Sequence, residues 1–389
     1  MTDVFINNIA TFLPNAPVDN DAMEAVLGQI GDRPSRARRA ILRNNGINTR
    51  HYAVDPATGE RTHTNAELTA AAIRALANDG FDLNAIDCLA CGTTIADQLM
   101  PNHAVMVHGE LGTPPCEVAA TTGVCVSGIT SLRYASLGVA AGEFGNAVAT
   151  ASELSSAVMA ADRFRPEVAA KVEALARQPE IAFEKDFLRW MLSDGAGAML
   201  LQPQPQPRED GVSLRLDWIF ERSYAHETET CMYAGAEKRP DGTLRGWNEF
   251  TPQEWLDRSV MSLKQDVKLL NEQVIHYTVE KPLRELIASK GIAATDYDWF
   301  LPHYSSEYFR DKVYAGMTAS SFDLTQDRWF TNLTTRGNTG SASIYIILEE
   351  LLHSGRLKGG QRLLCYIPES GRFTTAFMQL TVMEPDARK

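Results

Sequence analysis

The sequence predicts an α/β protein made of one half-domain used twice, and three observations carry that prediction. Thr69 to Thr94 (TAAAIRALANDGFDLNAIDCLACGTT) and Val279 to Ser305 (VEKPLRELIASKGIAATDYDWFLPHYS) read as copies. Each has a helix bearing Leu and Arg, a glycine stop (Gly80, Gly291), a short loop, an aspartate (Asp87, Asp298) and then an apolar strand. The spacing then persists: Asp87 and Asp298 are 211 residues apart, and Cys125 and Asn338, each opening an apolar helix, are 213 apart. Two segments in register describe a duplicated half-domain rather than a short solenoid repeat. Finally, helices alternate with β-branched or apolar strands, as in sheets covered by helices on their faces.

Taken in chain order, the first half runs over 1–201, a linker over 202–210 and the second half over 211–389. Small and β-branched residues in TTGVCVSG place Cys125 at a strand-to-helix turn. The helix that follows (SGITSLRYASLGVAAG) is poor in charge, as expected of one buried on several faces. Its counterpart follows Asn338, and these two helices are expected between the two sheets. Alternating Pro and Gln in QPQPQPRED (202–210) cannot pair inside a sheet, which marks the linker. Two stretches lack a counterpart in the other half: an amphipathic helical insertion near 157–189, and an irregular loop leading into a helix near 226–255, with Trp247 and Trp255. Such insertions commonly cap or shape a pocket.

Composition narrows the function classes. With 44% hydrophobic residues the chain can bury a large core without staples, and a net charge of −12 argues against nucleic-acid or anionic-membrane affinity. Six cysteines without secreted-type spacing, and an N-terminus with neither a basic region nor a long apolar stretch, point to a cytoplasmic protein. Cys88 and Cys91 form a C-x-x-C, but they fall inside a strand and lack a second pair, so they read as packing and no metal is expected. One segment runs against the overall charge: SRARRAILRNNGINTRHY gathers Arg36, Arg38, Arg39, Arg43 and Arg50, and could dock an anionic phosphate-bearing carrier or simply be a solvated helix face.

At the start of a helix, the dipole and unpaired amides favour thiolate over thiol, which would activate Cys125 as a nucleophile. A pseudo-twofold axis brings equivalent loop ends together, so Cys125, His303 and Asn338 can converge although they are distant in sequence. Each also has an ordinary reading: Cys125 as a small buried hydrophobe, His303 as a satisfied core residue, Asn338 as a turn former.

The motif set resembles the thiolase superfamily, and within it the β-ketoacyl-ACP synthase III type of condensing enzyme. TTGVCVSG is similar to that family's nucleophile elbow, WFLPHYSS to its histidine strand, RGNTGSAS to its asparagine loop, LSDGAGAMLL to the closing strand of the first half and CYIPESGRFTTAF to its C-terminal loop. The resemblance implies a five-layered αβαβα sandwich and no bound cofactor, with acyl-CoA or acyl-carrier-protein thioesters as substrates. It implies that Cys125 takes an acyl group, that the backbone amides of Cys125 and Gly371 form an oxyanion hole, and that His303 and Asn338 donate hydrogen bonds to the carbonyl of a second thioester as its enolate forms. Met100, in TTIADQLMPNHA, would cross a homodimer interface into the neighbour's acyl pocket. The family's HQAN reads His303-Tyr304-Ser305-Ser306 here, and its glycine run reads Glu369-Ser370-Gly371, which puts standard acetyl-primed, malonyl-extending chemistry in doubt.

Within the family, SRARRAILRNNGINTRHY and THTNAEL resemble the ketosynthases of dialkylresorcinol pathways. Those join a β-ketoacyl thioester to an α,β-unsaturated one by Michael addition and Claisen condensation, giving a cyclohexanedione. The alternatives are a priming β-ketoacyl-ACP synthase III using malonyl-ACP, an acyltransferase of the same fold acting on a hydroxyl or amine, and, from another class, a papain-like Cys-His-Asn hydrolase. Against the hydrolase, the C-G-S-C-W surroundings are missing and the chain is duplicated.

Overall fold

The computed structural model describes residues 2–30, 38–163, 188–206 and 211–384. Among them, nine strands form one hydrogen-bonded sheet: β1 (Phe5–Phe12), β2 (Cys88–Thr93), β3 (Glu117–Thr122), β4 (Ala147–Glu153), β5 (Gly195–Gln202), β6 (Ser213–Arg222), β7 (Trp299–Pro302), β8 (Arg362–Pro368) and β9 (Thr375–Met383). Their order is β7-β8-β9-β6-β1-β5-β4-β2-β3. The run β2-β4-β5-β1 is matched by β7-β8-β9-β6, with the same directions. The first step of each is parallel and the next two are antiparallel. Where β3 flanks β2 in the first half, a single parallel bridge from Phe300 to Trp329 marks the corresponding edge in the second. The two sets meet where β1 pairs with β6, at Phe5 with Arg215 and Ile6 with Leu214.

A parallel step needs a crossover, and helices supply it. The helices used below are α1 (Arg38–Asn45), α2 (Asn65–Ala75), α3 (His103–Leu111), α4 (Ser127–Ala141), α5 (Val267–Ile275), α6 (Lys281–Lys290), α7 (Arg310–Ala319) and α8 (Ser343–Leu352). Helix α2 starts in a reciprocal cap between Thr64 and Glu67, and Gly80 and Gly291 take the left-handed conformation that ends the paired helical segments. The paired aspartates then do the same work. Asp87 donates its backbone N–H to the Asn146 carbonyl and accepts the Asn146 N–H at 2.9 Å. Asp298 donates to the Arg362 carbonyl and accepts the Arg362 N–H at 2.9 Å. Each aspartate thereby fixes the start of its half's next parallel strand.

Strand alternation sorts the core into layers. Cys88 and Ala90 of β2 and Leu363 and Cys365 of β8 face one shared core with Ile129 and Leu132 of α4 and Ile344 and Ile347 of α8. Leu89 and Cys91 face the other way, against Leu68 and Ile73 of α2 and Val107 of α3. On the far side of the second strand set, Leu364 and Tyr366 meet Leu270 of α5, Leu283 of α6 and Val313 of α7. The succession is helix, sheet, helix, sheet, helix, with α4 and α8 in the middle. Each fully buried aliphatic side chain there contributes about 1.5–3 kcal/mol by leaving water. Cys88 and Cys91 lie on opposite faces of β2 and are both buried, so they serve packing.

The central helices touch where side chains are smallest. The Gly128 carbonyl accepts hydrogen bonds from Tyr345 Oη and Ser131 Oγ, both at 2.8 Å, and a Cβ on Gly128 would lie 2.7 Å from the Ser341 carbonyl oxygen. This contact holds the turn carrying Cys125 against the turn carrying Asn338. The insertion expected at 226–255 is more regular than a loop: Ala236–Lys238 and Leu244–Gly246 form a two-stranded ribbon, followed by a helix at Pro252–Asp257. Of the 157–189 insertion, residues 164–187 lie outside the described residues, as do 207–210 of the linker. No helix among the described residues is long and apolar enough to cross a membrane.

Candidate active site

Five side chains reach one cavity from the ends of equivalent strands and from the two central turns. Cys125 follows β3 in the turn before α4, and Asn338 occupies the matching turn before α8. His303 directly follows β7. Glu153 is the last residue of β4, and Glu369 directly follows β8. All five line a cavity enclosing about 960 Å³, its open mouth included. The wall is otherwise mainly apolar, with Leu192, Leu270, Val274, Phe309 and Val313 among its residues. Both insertions contribute: Val158 and Leu188 from one, Met232 from the other, with Leu263 and Gln265 shortly beyond. Such a wall suits a flexible hydrocarbon chain.

Local geometry sets what each polar group offers. The backbone of Asn338 is pinned by Asn338 N–H to the Met191 carbonyl at 3.0 Å and by Ser193 N–H to its own carbonyl at 2.8 Å. Its Oδ1 accepts the Gly340 N–H at 2.9 Å, which leaves the Nδ2 donors for the cavity. His303 is held by its backbone N–H to the Tyr366 carbonyl at 2.8 Å, and burial pulls its imidazole down to about 4, so the ring is neutral at physiological pH. Glu153 Oε1 accepts Thr94 Oγ1 at 2.5 Å and the Ser341 N–H at 3.1 Å; burial nevertheless raises this carboxyl to about 7. Burial raises Glu369 as well, although it accepts the N–H groups of Gly371 and Thr374.

Three expectations need correction. The helix start does not make Cys125 a thiolate: burial first, then the negative charges of Glu153 and Glu369, push the thiol well up, and only its own backbone amide acts the other way. Helix α4 begins at Ser127, two residues beyond the sulfur, where its dipole is outweighed. The Gly371 amide is not open to the cavity, because Glu369 Oε1 accepts it, so the expected second oxyanion donor is occupied. Arg38 is not free for a carrier: it is paired with Glu24 at 2.8 Å and sits over the Trp190 ring. Arg50 is fully buried, donating to Asn20 Oδ1 and the Trp190 carbonyl. Arg39 and Arg43 are exposed on α1, and Arg36 lies outside the described residues. Met100 is 82% exposed and lines no part of this chain's cavity.

Glu153 was not singled out in the sequence. The available signal was a lone charge closing the otherwise uncharged run AVATASE, which becomes a buried strand. Asp194, another buried acid, accepts Ser156 Oγ, the Ser156 N–H and the Ala53 N–H and belongs to the framework behind the cavity.

The duplicated five-layer architecture is the thiolase fold, and solved structures sharing it cover nearly the whole chain. AbyA1, a tetronic acid condensing enzyme, superposes with a TM-score of 0.72 at 23% identity, covering 97% of this chain and 99% of its own. An OleA variant from Xanthomonas campestris with bound lauric acid and lauroyl-CoA gives 0.71 at 19%, with 97% and 99% covered. Residues 287–370 match the family model for the 3-oxoacyl-[acyl-carrier-protein (ACP)] synthase III C terminal. Curated β-ketoacyl-[acyl-carrier-protein] synthases III align along most of the chain, that of Xanthomonas oryzae pv. oryzae (strain MAFF 311018) being 24% identical over 360 residues, 92% of each chain. The chain therefore has the thiolase fold, carries a match to the synthase III C-terminal family over residues 287–370, and is similar along most of its length to β-ketoacyl-ACP synthase III-like condensing enzymes.

Proposed function

We propose that the protein is a ketosynthase that joins two acyl thioesters by Claisen-type carbon–carbon bond formation through an acyl-enzyme on Cys125. The observation that carries this reading is the arrival of Cys125, His303 and Asn338 at one apolar cavity from the two halves of the duplication. The resting thiol is protonated and His303 neutral, so the imidazole can take the thiol proton as sulfur attacks the first thioester. Once the acyl group is in place, an imidazole N–H and the Asn338 Nδ2 are two uncharged donors for the carbonyl oxygen of the second thioester. A carboxylate in that position would repel the enolate. With the Gly371 amide occupied, the oxyanion of the acyl-transfer step needs either a shift of Glu369 or the Cys125 amide alone.

The finer reading is cyclohexanedione formation from a β-ketoacyl and an α,β-unsaturated acyl thioester, in dialkylresorcinol-type metabolism. It draws support from the apolar wall, from the two insertions that line it and from the replacement of the family's glycine run by Glu369-Ser370-Gly371. A carrier protein would approach over α1, where Arg39 and Arg43 are exposed and where the backbone of Asn44 neighbours the Ser306 turn leading to Phe309 of the cavity. A homodimer fits the open edge of β3 and the exposed Leu99, Met100, Tyr134 and Leu137. The test is incubation with both thioesters and a search for a 1,3-cyclohexanedione by mass spectrometry. Formation of only an acetoacetyl carrier from acetyl and malonyl donors would replace this reading with the priming enzyme.

A further inference from the structure

The pseudo-symmetry that pairs Cys125 with Asn338 also pairs the two cavity carboxylates. Asn146 and Arg362, which bind the aspartates of their respective halves, are 216 residues apart, and so are Glu153 and Glu369. Both glutamates end the same strand of their half, and both face Cys125 closely enough for their charges to raise its thiol.

Their side chains are used differently. Glu153 reaches across the pseudo-twofold axis to the other half's central turn, accepting Ser341 N–H, while a Cβ on Gly340 would lie 2.9 Å from its Oε1. It is a positioning residue for Asn338. By symmetry Glu369 would reach across to the turn of Cys125, but it does not. It folds onto its own loop, where Glu369 N–H meets the Thr374 carbonyl and its carboxylate accepts the amides of Gly371 and Thr374. These bonds, together with one from the Thr374 side chain, hold the carboxylate at the cavity wall. A carboxylate accepting two N–H bonds keeps further lone pairs able to take a proton.

Resting on the condensing-enzyme reading above, we propose that Glu369 is the catalytic base that removes the α proton of the second thioester, so that condensation proceeds without decarboxylation. The donor is accordingly a thioester with a free α C–H, best a β-ketoacyl thioester, whose α carbon is acidified by two carbonyls. The α C–H bond breaks, its proton goes to Glu369 and its electron pair enters the enolate held by His303 and Asn338. The enolate carbon bonds to the acyl carbonyl carbon, the C–S bond to Cys125 breaks, and the departing thiolate takes the proton from Glu369. No electrons are gained or lost overall, and the enzyme returns to thiol plus carboxylate. Burial, which makes Glu369 a stronger base than a solvated carboxylate, and the high proton affinity of the Cys125 sulfur favour both transfers.

The experiment uses octanoyl-CoA to load Cys125 and 3-oxooctanoyl-CoA as donor, with wild type, Glu369→Gln and Glu369→Asp compared. The expected result is that Cys125 of Glu369→Gln still becomes octanoylated, as read by intact mass, while condensation by the loaded enzyme falls about 100-fold or more, the scale of a lost general base. Glu369→Asp should keep part of that rate and a pH profile governed by a carboxyl group, which a merely structural residue would not impose. Condensation by Glu369→Gln at the wild-type rate, loss of its Cys125 acylation as well, or wild-type turnover only with malonyl donors and release of carbon dioxide would each overturn the assignment. Failure of wild type to acylate Cys125 at all would instead remove the condensing-enzyme reading on which it rests.

Discussion

Replacing Gly128 by alanine probes the contact that joins the two halves of the site. An added Cβ would stand 2.6 Å from the Ala151 Cβ, 2.7 Å from the Ser341 carbonyl oxygen and 3.2 Å from Tyr345 Cε2, against an ordinary contact beginning near 3.4 Å. Two of these neighbours cannot rotate away, one being a backbone carbonyl and the other the Cβ of a residue in β4. The start of α4 must therefore back off by something under 1 Å. Overpacking of this kind costs about 1–3 kcal/mol. Cys125 lies three residues upstream on the same turn, so the shift moves sulfur away from Asn338, and a misplacement near 1 Å costs about 100-fold in rate. Urea denaturation and the rate of Cys125 acylation by a medium-chain acyl-CoA read the two effects separately. A Gly128→Ala protein within about 0.5 kcal/mol of wild type, the scale of an unremarkable surface change, and with unaltered acylation would show that this crossing does not set the site.

Gly109 in α3 provides the opposite case: a Cβ there meets nothing within 4 Å, so Gly109→Ala should stabilise the protein by about 0.5–1 kcal/mol in the same denaturation assay, and a loss of stability would contradict the open surroundings. Glu153→Gln should speed alkylation of Cys125 by iodoacetamide above pH 7, where the wild-type carboxylate is ionised and raises the thiol. The difference should close as pH falls below about 7 and Glu153 takes up its proton; an unchanged rate at pH 8 would remove Glu153 from the electrostatics of the sulfur. Because burial holds His303 neutral down to about 4, the acid limb assigned to this ring in the pH dependence of acylation should fall near 4, and a limb at 6.5 abolished by His303→Ala would contradict that burial.

The architecture was legible because the duplication repeats chemistry as well as pattern. Asp87 and Asp298 could be paired from sequence, and they turn out to make the same two hydrogen bonds in each half. The charge-poor helices after Cys125 and Asn338 likewise had to be enclosed on more than one face, and α4 and α8 are. What sequence did not disclose depends on neighbours remote along the chain. The protonated state of Cys125 is set by burial and by carboxylates 28 and 244 residues away, which outweigh the local helix start. Arg38 was a plausible carrier contact until Glu24 and Trp190 folded onto it. The Gly371 amide was assigned by likeness to a glycine run, whereas the glutamate standing in that run accepts its N–H.

The most direct test of a Cys125 acyl-enzyme is intact-protein mass spectrometry with peptide mapping after exposure to a panel of acyl thioesters. A single acyl mass on the peptide carrying Cys125, absent in Cys125→Ser, is the predicted result. Acyl mass on another residue, or turnover of both thioesters by Cys125→Ser at the wild-type rate, would contradict it.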